Sequence, residues 1–154
     1  MKRLLAFLPF FFIVTLISAQ VVVKEADGIY YDGNDKPYTG TYQEFYGNGN
    51  VKLEIPLRRG LENGNVHIYF YNGNLNEIRA YRLGEMHGKW VTWDEEGNKT
   101  AEASYRRGLK HGKWFVWDEN GILRYDMTYK KGERTGNWTM FDEEGYLVME
   151  KNYN

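Results

Sequence analysis

The sequence predicts an all-β protein, built as one elongated single antiparallel sheet of stacked 24-residue β-hairpin repeats. Two observations carry this prediction. Glycine recurs with a step of 24 residues in three separate series that use most of the 17 glycines: Gly40, Gly64, Gly88, Gly112 and Gly136; Gly49, Gly73, Gly97, Gly121 and Gly145; Gly60, Gly84, Gly108 and Gly132. Aromatic and aliphatic residues between these glycines recur with the same step, so the period belongs to side chains as well as to turns.

The first 19 residues are predicted to be a secretory signal peptide. Met1-Lys2-Arg3 gives a positive start, Leu4 to Ile17 is an almost unbroken apolar run, and Ala19 is a small residue at a cleavage point. The apolar run is shorter than the about 20 residues that a comfortable membrane span needs. We therefore expect an exported protein, periplasmic, cell-surface or extracellular, that is not an integral membrane protein after cleavage. An uncleaved N-terminal anchor is the alternative.

Composition restricts the classes of function. The chain has 20 Lys plus Arg against 21 Asp plus Glu and no cysteine, so nothing suggests a nucleic-acid partner, and packing alone must stabilise the fold. Outside the predicted signal peptide the one serine is Ser104, and the sequence places no base beside it. Phosphate-loop, zinc and dinucleotide motifs are absent from the sequence. We predict a protein that is not an enzyme, with no catalytic residues, no metal and no cofactor.

The elements follow in order after the signal peptide. Residues 20–38 are predicted to form an N-terminal capping strand or hairpin, on the evidence of the Ile29-Tyr30-Tyr31 run and the Asp32-Gly33 turn signal. Five repeats then occupy residues 39–62, 63–86, 87–110, 111–134 and 135–154. Each repeat is expected to bury its apolar face mainly against its neighbours.

Each repeat is predicted to be one hairpin with two different arms. Turns such as Asp94-Glu95-Glu96-Gly97 join the arms, because Asp opens a type I turn and glycine accepts the left-handed conformation that closes it. The second arm alternates with a period of two, which indicates a half-buried strand. The residues predicted to share one face are Leu123, Tyr125, Met127 and Tyr129 in the fourth repeat, and Val51, Leu53, Ile55 and Leu57 in the first.

Two rows of mostly aromatic residues run through the first arms. One row is Tyr42, Val66, Trp90, Trp114 and Trp138; the other is Phe45, Tyr69, Trp93, Trp117 and Phe141. The rows have opposite parity, so either one is exposed on the outer face or a twist or bulge near the turn brings it inward. Exposed, the second row is the best candidate for partner binding, to a flat protein surface or to sugar rings. Buried, which we favour because large aromatic side chains mostly serve packing, it is the core of a thin sheet.

The two long edges of the sheet are predicted to differ in charge. Acidic turn residues such as Asp94, Glu95 and Glu96 align along one edge, and paired carboxylates for catalysis or calcium are the less favoured explanation of them. The other edge carries the candidate partner-binding cations Arg82, Arg106, Arg107, Lys130 and Lys131, together with Arg58 and Arg59. These cations could receive an anionic partner, or they could only guard loops and edges against aggregation.

The equivalent residues His87 and His111 are a third candidate group. A metal pair is one interpretation of them. We expect solvated joint residues instead, because zinc needs three or four ligands and the sequence indicates no others.

These motifs resemble the bacterial variant of MORN (membrane occupation and recognition nexus) repeats, over residues 39–154. The resemblance rests on His87-Gly88-Lys89-Trp90, His111-Gly112-Lys113-Trp114, Trp93, Trp117, Tyr105, Tyr129, Gly108 and Gly132. It implies a MORN-like solenoid, used as a scaffold or recognition surface.

Arrays of this variant are also labelled YwqK-type antitoxins, so the resemblance implies a protein that neutralises a partner. The predicted signal peptide departs from the cytoplasmic action that this label suggests, and an extracytoplasmic antitoxin, immunity or inhibitor role stays open. We predict a protein–protein interaction or scaffold module whose partner is another protein. The alternative is a module that binds envelope polysaccharide through the aromatic row. Another anionic surface is a further candidate partner.

Overall fold

The computed structural model describes residues 21–154, so the predicted signal peptide lies outside the described residues. All regular secondary structure in the described part of the chain is β-strand. The strands are β1 (Val22–Lys24), β2 (Tyr30–Asp32), β3 (Gly40–Phe45), β4 (Val51–Arg58), β5 (Leu61–Glu62), β6 (Gly64–Tyr69), β7 (Leu75–Arg82), β8 (Glu85–Trp93), β9 (Lys99–Arg106), β10 (Leu109–Lys110), β11 (Gly112–Trp117), β12 (Leu123–Lys130), β13 (Glu133–Arg134), β14 (Gly136–Phe141) and β15 (Leu147–Tyr153).

One open antiparallel sheet contains the strands from β3 to β15. Its main path runs in chain order from β3 to β15, and the short strands β5, β10 and β13 pair with β4, β9 and β12. Strands β3 and β15 lie at the two ends of the path and do not pair with each other. The structure therefore confirms the predicted all-β fold, in which successive hairpins form one antiparallel sheet. Within residues 21–154 we find no helix of the length and hydrophobicity that a membrane crossing requires.

The acidic turns form as the sequence predicts. The Gly97 N–H donates to the Asp94 carbonyl at 3.2 Å, and the φ of 89° at Gly97 is left-handed. The side chain of Asp94 accepts the backbone N–H of Asn98 at 2.8 Å. Side-chain capping of this kind holds the turn closed without burying any apolar surface.

A β-bulge lies beside the turn, on the second arm, in every repeat. In the fourth repeat Val116 pairs with Tyr125 but Trp117 pairs with Leu123, so the second arm has one extra residue, Arg124. The equivalent register shifts of the other repeats lie at Glu44/Phe45, Ile68/Tyr69, Thr92/Trp93 and Met140/Phe141. Because a bulge inserts one residue into one strand, it reverses the alternation of side chains beyond it.

The bulge corrects one sequence prediction. Alternation with a period of two places Val51 on the same face as Leu53 and Ile55, but in the structure Val51 pairs with Phe45. Leu123 likewise pairs with Trp117 rather than continuing the face of Tyr125. Residues that pair directly across an antiparallel ladder point to the same side of the sheet. Val51 and Leu123 therefore belong to the face that carries the second aromatic row.

Register divides the side chains of the large sheet between two faces. We call one the ladder face; its aromatic residues include Tyr81, Trp90, Tyr105, Trp114, Tyr129, Trp138 and Tyr153. We call the other the row face; it carries the row Phe45, Tyr69, Trp93, Trp117 and Phe141. The two sets point to opposite sides of one layer of strands.

A small cluster of buried residues lies at the N-terminal end of the sheet. Tyr30, Ile55, Leu57 and Val66 are 4–6% exposed and form one cluster. Tyr30 belongs to the separate two-stranded sheet of β1 and β2, and its ring lies 5.5 Å from that of Tyr42. Residues 21–38 thus cover the ladder face of the first repeats, where aliphatic side chains are buried beneath them.

Candidate partner-binding surfaces

The aromatic side chains of the ladder face are committed to the fold. From Tyr81 to Tyr153, consecutive ring centroids lie 4.8–5.5 Å apart. Each ladder tryptophan donates its indole N–H to a backbone carbonyl ten residues earlier: Trp90 to Ala80 at 3.1 Å, Trp114 to Ser104 at 3.0 Å and Trp138 to Thr128 at 2.9 Å. Tilted rings at these distances attract one another. The ladder therefore joins consecutive repeats.

Cations lie against the ladder rings. Lys110 Nζ lies 4.4 Å from the ring centroid of Trp114 and 4.8 Å from that of Tyr129, and the guanidinium carbon of Arg134 lies 4.6 Å from that of Trp138. These contacts occupy ring surface that a ligand would otherwise use. Burial raises the pKa of the Tyr105 hydroxyl above the usual value of tyrosine, as expected of a packed ring.

The row face presents its aromatic side chains differently. Phe45 is 58% exposed, and Tyr69, Trp93, Trp117 and Phe141 are half-buried. The sequence analysis favours burial of this row, whereas the structure leaves it partly exposed and places it on the face opposite the Tyr30 cluster. The bulge lies on the strand that pairs with each row residue, so it does not carry the row over to the ladder face.

Within residues 21–154, Trp93 and Trp117 make no hydrogen bond through their indole N–H groups. Among the hydrogen bonds of residues 21–154, the indole donors are the three ladder tryptophans. Trp93 lines a shallow cleft with Leu75 and Glu96, and Lys99 Nζ lies 5.5 Å from the ring centroid of Trp117. The two row tryptophans thus combine apolar surface with an unused polar group.

Charged side chains around the row neutralise one another. Glu102 accepts hydrogen bonds from Lys89 at 2.6 Å and from Lys99 at 3.0 Å, and Lys113 pairs with Asp126 at 2.6 Å. The hydrogen bonds from Lys89 and Lys99 hold the pKa of the Glu102 carboxyl below its usual value. The polar part of the row face is therefore largely paired with itself.

The candidate cations Arg82, Arg106, Arg107, Lys130 and Lys131 lie at the other end of the hairpins, so the structure does not bring them together with the row. They surround two-residue turns in which both residues have positive φ, 53° at Arg107 and 75° at Gly108. The equivalent turns are Arg59-Gly60, Leu83-Gly84 and Lys131-Gly132. This is the type I′ hairpin geometry. This turn type was not predicted from the sequence, although glycine two residues after the last strand position was a usable signal.

The two equivalent histidines lie among these cations. His111 lines a cleft with Arg106 and Lys131, and His87 lines the preceding cleft with Arg82. Residues 21–154 contain no group of three His, Cys, Asp or Glu side chains close enough to hold a metal ion. The histidines belong geometrically to the basic turns rather than to an acidic cluster.

This geometry defines a class of protein: an open, single-layer β-repeat protein with two faces and two charged edges. Three segments of the chain, residues 38–58, 86–107 and 110–131, match the family described as MORN repeat variant. These three segments are therefore similar to MORN-type repeats, a module that is generally non-catalytic. A search of curated proteins gave no match.

Proposed function

We propose that this protein is an exported, non-enzymatic interaction or scaffold module that binds another protein through its row face, centred on Trp93 and Trp117. The observation that carries the proposal is the contrast between tryptophans. The three on the ladder face donate their indole N–H groups to backbone carbonyls, whereas these two find no acceptor in the described part of the chain. Aromatic side chains with an apolar body and an available donor are typical anchors of protein interfaces.

The layout of the row suits a flat or extended partner surface. Equivalent row residues are two strands apart, which is about 10 Å at the usual strand spacing. The paired charges of Lys89, Glu102 and Lys113 between them leave few unpaired ions to desolvate, and burial of unpaired charge would otherwise oppose binding. A partner therefore gains contacts with the aromatic side chains at a low electrostatic cost.

An inhibitor of a partner protein, similar in action to the YwqK-type antitoxins, is the specific form of this proposal. Such a protein acts stoichiometrically by covering a surface, which needs a preformed rigid face and no catalytic group. Export would place the partner outside the cytoplasm. Support for the export comes from the sequence of residues 1–19, and the inhibitory role rests on the resemblance of the repeat motifs to YwqK-type antitoxins.

Crosslinking in native envelope extract, followed by mass spectrometry of the captured polypeptides, tests the proposal. We expect one dominant partner for the natural protein, and loss of that partner in Trp93→Ala and Trp117→Ala. Tyr125→Ala is the matched control, because Tyr125 is an aromatic residue 42% exposed on the ladder face. Equal capture by all variants would contradict binding through the row, and capture of no polypeptide would contradict a tight protein partner.

A further inference from the structure

The cations at the type I′ turns differ from those on the row face. On the row face Lys89, Lys99 and Lys113 form ion pairs of 2.6–3.0 Å. We define the basic turn edge as Arg58, Arg59, Arg82, Arg106, Arg107, Lys130 and Lys131. Within residues 21–154 none of these seven residues takes part in an ion pair. The fold thus neutralises one set of cations and leaves the other available.

Backbone conformation fixes the positions of three of these cations. Arg59, Arg107 and Lys131 have φ of 51–53°, in the first position of a type I′ turn, where Asn, Asp or Gly is favoured. A long side chain in the left-handed region carries a conformational cost. Residues held in such conformations cluster at functional sites, where the fixed position of the side chain is useful.

Two equivalent clefts lie along the edge. The first, of about 280 Å³, is lined by Arg106, Arg107, Leu109, His111 and Lys131. The second, of about 380 Å³, is lined by Arg82, Leu83, Glu85, His87 and Arg107. Arg107 belongs to both clefts, so its side chain lies between two sites of similar composition.

Backbone hydrogen bonds fix the spacing of the clefts. The Gly108 N–H donates to the Met86 carbonyl at 2.9 Å, and the Gly132 N–H donates to the Lys110 carbonyl at 2.9 Å. Each turn is therefore held against the repeat before it. Successive clefts are separated by two strands, or about 10 Å at the usual strand spacing.

We propose that the two clefts of the basic turn edge bind a linear acidic polysaccharide, with one anionic sugar unit of the chain in each cleft; Arg59 lies outside both. Guanidinium and ammonium groups suit the carboxylates or sulfates of such a chain. Leu83 and Leu109 supply apolar surface for the C–H face of a sugar ring, and the imidazoles supply polar contacts beside it. A flexible acidic peptide offers charge but no ring to fill the clefts.

A polymer fits the edge better than a single anion does. Two clefts spaced by one repeat allow one chain to bind twice, so that the second contact forms at a high effective concentration. The cleft at His111 has no acidic residue in its lining, whereas Glu85 lines the one at His87. The first cleft is therefore the stronger site. This proposal concerns the edge and does not depend on a protein partner at the row face.

Calorimetric titration with polygalacturonate, a carboxylated sugar polymer, tests the proposal. We expect binding that weakens as salt is raised, because exposed charges are screened, and that is much weaker for monomeric galacturonate. Neutral dextran should not bind. Polyglutamate and vesicles of anionic phospholipid complete the comparison. Equal or tighter binding to either of these would overturn the proposal, as would equal affinity for the galacturonate monomer.

A matched pair of variants distinguishes binding in the clefts from a general attraction between opposite charges. Arg107→Asn should weaken polygalacturonate binding by about tenfold, the usual effect of losing a hydrogen bond to a charged group. Arg59→Asn removes the same charge from the equivalent turn position, where no cleft residue is changed, and should have little effect. Equal losses would overturn the assignment to the clefts.

The variants also report on folding. Because Asn suits the left-handed turn position better than Arg, Arg107→Asn should unfold at the same or a higher temperature than the natural protein. Weaker binding would then not result from unfolding. Trp93→Ala should keep its affinity for polygalacturonate, since it changes the other surface; loss of binding in this variant would also overturn the assignment.

Discussion

The indole N–H of Trp114 donates a 3.0 Å hydrogen bond to the carbonyl of Ser104, a residue of the preceding repeat. The same ring lies 5.2 Å from the ring of Tyr105 and 5.2 Å from that of Tyr129. We expect Trp114→Phe to lower the free energy of unfolding by about 1–2 kcal/mol, because it removes the donor and leaves the carbonyl without its partner. Urea denaturation followed by circular dichroism measures this loss.

Trp117→Phe is the matched control for this prediction. Trp117 lies in the same strand, and its indole N–H has no acceptor within residues 21–154. The substitution removes the same atoms without breaking a hydrogen bond, so the loss of stability should be smaller. If the two variants lose equal stability, the hydrogen bond from Trp114 to Ser104 adds nothing to the stability that burial of the indole ring provides.

Gly60 tests how the N-terminal hairpin docks on the sheet. Its φ is 76°, and a Cβ there would collide with the Ile29 side chain and lie 2.8 Å from the Tyr30 carbonyl oxygen. We expect Gly60→Ala to destabilise the protein by about 2 kcal/mol or more, since strain in the left-handed region adds to the steric clash. Thermal unfolding measures the loss, and limited proteolysis should cut residues 21–38 first.

Gly108→Ala measures the cost of the backbone strain without the steric clash that Gly60→Ala adds at the docked hairpin. Gly108 has the same turn position and a φ of 75°, but a Cβ there meets no atom within 4 Å. Only the left-handed strain of about 1 kcal/mol should remain. A loss as large as that of Gly60→Ala would mean that contacts with Ile29 and Tyr30 do not hold the hairpin in place.

Much of the fold could be predicted because each repeat needs the same backbone conformation at the same positions, and the same residue type supplies it. Gly97 and its equivalents close turns with positive φ, so the 24-residue step of glycine marks the turns directly. The position of the bulge is not indicated by any recurring residue type. Its extra residue is Lys52, Asn76, Thr100, Arg124 or Val148, a set without a common property. Sequence alternation therefore misplaced Val51 and Leu123.

The candidate surfaces were only partly predictable. Trp90 and Trp93 are the same residue type in the same strand, yet Trp90 donates to a backbone carbonyl and Trp93 has no acceptor among residues 21–154. Which indole finds an acceptor depends on strand register and twist, and alternation alone does not give these. The left-handed conformation of Arg107 was also unforeseen, because Arg is not a usual residue for that position.

Asp118 tests the contribution of the acidic turns to stability. Its Oδ1 accepts the backbone N–H groups of Asn120 at 3.0 Å and Ile122 at 2.9 Å. We expect Asp118→Ala to lower the free energy of unfolding by about 1 kcal/mol through loss of these acceptors. Asp118→Asn keeps a carbonyl oxygen in place and should lose less. Urea denaturation compares the two, and equal losses would show that the charge matters more than the hydrogen bonds.

The ion pairs of the row face predict how stability depends on pH. The Lys89 and Lys99 hydrogen bonds lower the pKa of Glu102 from its reference value of 4.5. A carboxyl with a lowered folded-state pKa contributes stability that is present above the unfolded-state pKa and is lost as pH falls through the folded-state pKa. The thermal midpoint of the natural protein should therefore fall as the pH drops below about 4.5, the range in which a glutamate carboxyl of ordinary pKa takes up its proton.

Glu102→Gln removes this titrating group while keeping a side chain of the same size and a hydrogen-bond acceptor. We expect this variant to be less stable at neutral pH, because it cannot pair ionically with Lys89 at 2.6 Å and Lys99 at 3.0 Å. Its thermal midpoint should fall less steeply in acid, so that the two curves converge as pH decreases. Parallel curves over the whole range would mean that Glu102 titrates alike in the folded and unfolded states.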